Sequence, residues 1–349
     1  MADEPIRILH LSDLHFTDKT DYLTHLQPLI ADIHNRDGGL GFDLLDYLVI
    51  SGDLTDKATP EQLDIARQFV SGVIEEFGLS AERTIIAPGN HDLSWTEKVY
   101  DWEARSSVEI DKLPHGSYCI QGDVVLTRDD KRYPNRFHNF SEDFYHPLMQ
   151  KEYPLAFAEQ CVPTLFEQTG IQFITLNSCW EIDEWFPERA SIFEAALARG
   201  LKRADEDIKI AREAGRLSSD ATVLRIGVWH HPVTGNDKIK NDAFVEQLRQ
   251  ANVMLCLHGH VHEDAAELIG YMHPRKVRIA GAGSFGAVAK DRPESTPRLY
   301  NLLEIARDHS GIKVHTRHMV KKGGAWGPHE IWPADKPGEQ RSYYTIPLV

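Results

Sequence analysis

The chain of 349 residues carries 18 histidines, and several of them stand beside Asp or Asn in short clusters. Asp13-Leu14-His15 is one; Gly52-Asp53-Leu54-Thr55-Asp56 and Pro88-Gly89-Asn90-His91-Asp92 are two more. His230-His231-Pro232 and His258-Gly259-His260-Val261-His262 complete the set. Carboxylate, amide oxygen and imidazole, with no thiolate among them, suit borderline divalent ions such as Mn, Fe, Zn, Co or Ni. The donors are too many for one four-coordinate ion. They fit two ions about 3.5–4 Å apart that share a bridging carboxylate, an arrangement that clamps phosphoryl oxygens and acidifies a bridging water. The nucleophile expected of such a site is hydroxide, so neither Ser nor Cys is required. Any one cluster has an ordinary explanation: Asp-x-His is common on surfaces, and Asn-His-Asp after Pro-Gly makes a turn. Five together do not.

Each cluster follows a short apolar run, and those runs must position it. Residues 6–11, 47–51, 84–87, 223–229 and 253–257 read as strands, with further strands over 171–177 and 277–281. Between them, 22–35, 60–77, 191–213 and 242–250 show helical periodicity, with Thr59 as N-cap and Pro60 at the first helical position. Strand–helix alternation predicts an α/β architecture with a largely parallel sheet, whose strand carboxyl ends share the edge where ligands bind. The segment from Leu93 to Leu165 breaks the rhythm and reads as a partly helical insertion. It holds Arg128, Lys131, Arg132 and Arg136 among Tyr133, Phe137, Phe140, Phe144 and Tyr145. Those aromatics are expected to pack as a lid face, with single-strand binding as the alternative. Residues 298–305 and 312–319 read as an antiparallel pair, and 321–349 shows little pattern.

Composition narrows the classes. With 38 basic and 53 acidic residues the formal charge is −15, which argues against non-specific binding to phosphate backbones. No eighteen-residue apolar stretch or signal-peptide pattern occurs, so neither a membrane span nor secretion is expected. Cys119, Cys161, Cys179 and Cys256 form no CxxC pair and are expected to be buried thiols of a cytoplasmic protein.

Taken in order, Asp-x-His, Gly-Asp, Gly-Asn-His-Asp, His and Gly-His-x-His resemble the calcineurin-like metallophosphoesterase superfamily, from Ile6 to about Gly281. The resemblance implies a four-layer α/β/β/α sandwich of two mixed sheets flanked by helices. It implies that Asp13, His15 and His262 hold one ion, that Asn90, His230 and His260 hold the other, and that Asp53 bridges. His91 would assist the leaving group, oriented by the Asp56 carboxylate, while His10, His231 and His258 would support the ligands. His230 is preferred to His231 because it stands two positions before the Pro. Residues 1–320 would form one domain, with 93–165 as a lid over the site and 321–349 as a tail.

Lys57-Ala58 and Asp92 depart from the Arg-Gly and Glu of the Ser/Thr protein phosphatases. The blocks are closer to the bacterial cyclic-nucleotide and glycerophosphodiester phosphodiesterase branch. The leading expectation is therefore hydrolysis of a small phosphodiester, such as a cyclic nucleotide, by attack of a hydroxide between two ions. A nuclease of the repair-exonuclease type, acting on DNA or RNA, and a phosphomonoesterase share these blocks and are the alternatives. A non-catalytic scaffold fits least. Oligomeric state is not legible.

Overall fold

A computed structural model describes residues 4–235, 238–260, 277–286, 296–321 and 323–348, and the backbone alone over 265–269. The first half winds as β1 (Ile6–Leu11), α1 (Leu23–His34), β2 (Tyr47–Ile50), α2 (Pro60–Glu76) and β3 (Thr84–Ile86). The Thr59 side chain accepts from the Gln62 amide, capping α2 as its sequence predicts. An insertion follows, with β4 (Tyr100–Ala104), β5 (Tyr118–Gln121), β6 (Val124–Arg128) and the single turn α3 (His146–Met149). The second half runs β7 (Cys161–Phe166), β8 (Ile171–Leu176), α4 (Glu194–Glu213), β9 (Leu224–Val228), α5 (Ala243–Gln250), β10 (Val253–His258), β11 (Ala265–Ile269) and β12 (Val277–Gly281). Then come β13 (Arg298–Ile305), β14 (Gly311–Met319), β15 (Gly327–Pro328), β16 (Trp332–Pro333), β17 (Gln340–Arg341) and β18 (Tyr343–Pro347).

Two large mixed sheets result among the described residues. One has the order β15-β14-β13-β1-β2-β3, with β18 also on β14; the other runs β11-β12-β10-β9-β8-β7. Strand side chains alternate between faces. Ile6 and Ile8 of β1 join Tyr47, Val49, Phe173, Ile226 and Leu257 in the layer between the sheets. Leu9 and Leu11 face outward and pack with Leu29, Ile33, Phe69 and Val73 of α1 and α2. On the far side, Leu197 and Ala204 of α4 and Val245 and Leu248 of α5 cover the second sheet in the same way. This is the four-layer sandwich. No described helix is long and apolar enough to cross a membrane.

The insertion is partly helical, as expected, and also contains a three-stranded antiparallel sheet, β4-β6-β5. Its strand β4 bears exposed residues from Asp101 to Ala104, so no apolar run marks it. Two other expectations need correction. Residues 161–166 belong to the second sheet as its edge strand β7, paired antiparallel with β8, and lie outside the insertion. The tail is part of the first sheet: β18 pairs with β14 along Gly311↔Pro347 to His315↔Tyr343, burying Tyr344, Ile346 and Leu348. The expected pair over 298–305 and 312–319 is present as β13 and β14.

The aromatics around the insertion's basic cluster are turned inward, and of its basic residues only Arg136 goes with them, while Lys131 is exposed. Tyr133, Phe137, Phe140 and Phe144 are fully buried. Arg136 is buried too, stacks 3.4 Å from the Tyr133 ring centroid, and donates to the carbonyls of Tyr133, Trp180 and Ile182. Arg128 pairs with Asp130, and Arg132 with Asp129 and Asp101. Arg128 and Arg132 are thus paired with acids, and the donors of Arg136 are taken up by main-chain carbonyls.

Candidate metal centre

The ends of β1, β2, β3, β9 and β10 meet at one place, and main-chain hydrogen bonds continue past them. The Asp13 amide donates to the Gly52 carbonyl, the His15 amide to Asp53, Phe16 to Leu54, and Gly259 to His230. Tight turns leave unusual backbone: Asp13, His15, Asp53 and His260 all adopt φ between 47° and 66°. A non-glycine residue held there costs about 1–3 kcal/mol, and such strain gathers where side chains must be aimed. Close approach also explains the neighbouring glycines. A Cβ on Gly259 would lie 1.6 Å from Ser12 Oγ, and one on Gly89 would lie 2.1 Å from Asp53 Oδ1.

The side chains converge on Asp53. Its Oδ2 is 3.1 Å from His230 Nε2 and 3.7 Å from His15 Nε2, while its Oδ1 accepts from the His91 amide at 2.8 Å. His15 Nε2 is 3.6 Å from Asp13 Oδ1, and Asp13 Oδ2 accepts from the His260 amide at 3.0 Å. His260 Nδ1 lies 3.3 Å from His230 Nε2. Three groups of ligand atoms each fall within 4.8 Å of one another: Asp13, Asp53 and His230; His15, Asp53 and His91; and His230, His231 and His260. Asp53 is shared by the first two. Asn90 leads the turn after β3, and its main-chain carbonyl accepts from Trp95 Nε1. His262 lies outside the described residues.

Two buried acceptors, Asp13 Oδ1 and Asn90 Oδ1, have no hydrogen-bond partner among the described residues. A buried polar atom without a partner is expensive, and cations would satisfy both. The donor chemistry, carboxylate and amide oxygen with imidazole nitrogen, fits borderline divalent ions.

Electrostatics agree. Burial alone would raise Asp13 and Asp53, yet the surrounding imidazoles, chiefly His15 for Asp13 and His230 for Asp53, hold both carboxyls below their ordinary range. Burial would lower His230, but Asp53 and then Asp13 push it up to about 9. His15 is raised for the same reason. The two carboxylates therefore favour positive charge at this site.

Support for these groups comes partly from residues the sequence flagged and partly from main chain. His230 Nδ1–H donates to the Ser51 carbonyl at 2.7 Å, which fixes the tautomer and leaves Nε2 for the centre. His231 Nδ1 is 2.9 Å from Ser178 Oγ. His10 is wholly buried against Ser51 Oγ, and His258 Nδ1 lies 2.9 Å from the Gly259 carbonyl. The orientation of His91 differs from expectation. Its Nδ1 donates to the main-chain carbonyl of Asp56 at 2.9 Å, and no described hydrogen bond engages the Asp56 carboxylate. Asp92 is the acid with a structural task, accepting from the amides of Gly89, Leu54 and Thr55 and so tying the turn after β3 to the loop after β2.

Comparison with known proteins accords with this geometry. The chain is 23% identical over 265 residues, 74% of its length, to an uncharacterized metallophosphoesterase-like protein, YydB, of Bacillus subtilis. It is 35% identical over 108 residues to a probable cyclic nucleotide phosphodiesterase of Fibrobacter succinogenes, 29% of this chain. The matches cover 49% and 37% of those relatives, so the chain spans about half their length or less. Among solved structures, purple acid phosphatase PPD1 of yellow lupin superposes with a TM-score of 0.50 at 13% identity, over 98% of this chain and 53% of that one, a likeness of fold. The model of the calcineurin-like phosphoesterase family matches residues 6–264, and the chain belongs to that family.

Proposed function

We propose that the protein is a metal-dependent phosphodiesterase that hydrolyses a small phosphodiester, with a cyclic nucleotide as the leading substrate class. The observation that carries this reading is Asp53, whose carboxylate stands in two neighbouring clusters of ligand atoms at once. On this reading Asp13, His15 and His262 hold one divalent ion, Asn90, His230 and His260 the other, and Asp53 joins them. A pair of such ions supplies Lewis acidity toward phosphoryl oxygens and water made acidic near neutral pH.

The chain's own residues do the rest. His230 and His15 would have to be neutral to hold ions, so binding would depend on pH. His91, anchored through Nδ1–H on the Asp56 carbonyl, offers Nε2 for proton exchange with the departing oxygen. The Asp53–His91 amide contact keeps that ring in register with the bridging carboxylate. A diester needs a proton donor for an alkoxide leaving group, which supports a role for His91. The name of the Fibrobacter succinogenes relative supports the cyclic-nucleotide class. The paired arginines of the insertion favour a small substrate over a nucleic-acid strand.

The test is a screen of manganese-loaded protein against bis-aryl and mono-aryl phosphates, cyclic nucleotides, glycerophosphodiesters and oligonucleotides. Turnover of the bis-aryl ester and of at least one cyclic nucleotide, with little of the mono-aryl ester, is expected. Preference for the mono-aryl ester, or for oligonucleotides alone, overturns the proposal.

A further inference from the structure

The loop that presents Asp13 is held from a direction unrelated to the ligand motifs. Asp13 keeps a left-handed backbone, with φ 54°, only because its surroundings impose it. Its amide is fixed by Gly52 and its carboxylate by the His260 amide, but its carbonyl is held from elsewhere. Gly286 N–H donates to Asp13 O at 2.9 Å, Ser284 Oγ donates to the same oxygen at 3.2 Å, and Phe285 N–H donates to Ser12 O at 3.0 Å. This short segment after β12 cannot shift freely, since a Cβ on Gly286 would lie 1.8 Å from Leu14 O.

Phe285 sets where that segment sits. Its ring is fully buried and lies flat against Trp326, with centroids 5.2 Å apart and planes 16° from parallel. Trp326 is buried too, and meets Tyr300 edge-on at 4.8 Å. Tyr300 donates to Asp32, which also accepts from Arg317 Nε at 2.9 Å, so the base under Trp326 is rigid. An unbroken series of contacts therefore runs from the 321–349 segment through Phe285 to Asp13.

We propose that Trp326 is a positioning residue, whose indole, stacked on Phe285, sets the main-chain hydrogen bonds that aim the Asp13 carboxylate into the candidate metal centre. This rests on the reading of Asp13 as a ligand. The 321–349 segment thereby tunes ion affinity from outside the ligand motifs. Groups that orient metal ligands commonly change affinity by about 10–100-fold when removed, and an indole acting through Phe285 belongs at the lower end.

The experiment is a manganese titration of metal-free full-length protein, with free Mn(II) followed by electron paramagnetic resonance. Wild type is expected to take up two ions. In Trp326→Ala one of the two binding steps should weaken about tenfold, with the other within twofold, and Trp326→Phe should restore it. Leu248→Ala, which opens the core between α5 and the second sheet, controls for stability and should leave both steps unchanged. If Trp326→Ala does not fold, Trp326→Leu carries the same expectation. Wild-type binding of two ions with unchanged affinity in the Trp326 variants overturns this inference alone, as does equal weakening in Leu248→Ala. Failure of the wild type to bind any ion overturns both this inference and the proposed function.

Discussion

Replacing His91 by Ala separates the two ways in which its neighbourhood contributes. The substitution removes the imidazole but keeps the amide that donates to Asp53 Oδ1 at 2.8 Å, so the Asp53 carboxylate keeps its orientation. Ion uptake should therefore stay within about twofold of wild type, while turnover falls. A positioned proton donor contributes about 10²–10⁴-fold, equivalent to about 2.7–5.4 kcal/mol of barrier at 1.36 kcal/mol per tenfold. The loss should be largest for a diester with an alkoxide leaving group and smallest for a nitrophenyl ester, which departs without a proton. Asp56→Ala is the companion. It deletes the carboxylate but keeps the carbonyl that accepts from His91 Nδ1 at 2.9 Å, so turnover should change by about twofold or less. The assay is steady-state kcat on both esters for the three proteins, with metal content measured in parallel. If Asp56→Ala costs as much as His91→Ala, the carboxylate orients the ring and the main-chain account is wrong. If His91→Ala leaves the poor-leaving-group ester unaffected, His91 is not the proton donor.

Other outcomes follow from particular contacts. Gly259→Ala would press a methyl onto Ser12 Oγ and Asp13 Oδ2 at 1.6 and 2.7 Å; overpacking of this kind costs about 1–3 kcal/mol, so a lower unfolding midpoint in urea and weaker manganese uptake are expected, and an unchanged protein would refute the close packing. Asp32→Ala strands the buried Arg317 guanidinium and should destabilise the chain by about 3–5 kcal/mol, read from urea unfolding; a loss below 1 kcal/mol would contradict the burial of that pair. His10 is pushed down to about 3 by burial and then by His258. It stays neutral when folded while the unfolded chain takes up a proton below about pH 6.5, so its contribution is complete above that pH. Stability should fall by about 1.4 kcal/mol per pH unit as pH drops from 6.5 toward 3. His10→Gln should remove one proton from that slope, and identical slopes would show that His10 is not buried neutral.

The strands and the chemistry at their ends were legible because both obey short-range rules. Buried runs such as 47–50 and 253–257 are wholly apolar or aromatic, and a metal-capable donor follows them where the chain leaves the sheet. Much of what escaped has no side-chain signature. The Asp56 carbonyl that orients His91, the Ser51 carbonyl that fixes His230 and the Gly286 amide that holds Asp13 are main-chain groups, identical in every residue type. β18 escaped because its alternation, Tyr344, Ile346 and Leu348 inward, is brief and lies in a stretch punctuated by Gly and Pro. The insertion's small sheet escaped because Asp101, Trp102 and Glu103 are exposed on β4. The aromatics around Arg136 are buried in the hydrophobic core, and the arginines are held by carbonyls and neighbouring acids rather than offered to a strand.

Anomalous diffraction from manganese-soaked crystals tests the central claim most directly. The account predicts two peaks about 3.5–4 Å apart, both touching the Asp53 carboxylate, one also bound by Asp13 and His15 and the other by Asn90, His230 and His260. A single peak, or two peaks that Asp53 does not join, would contradict it.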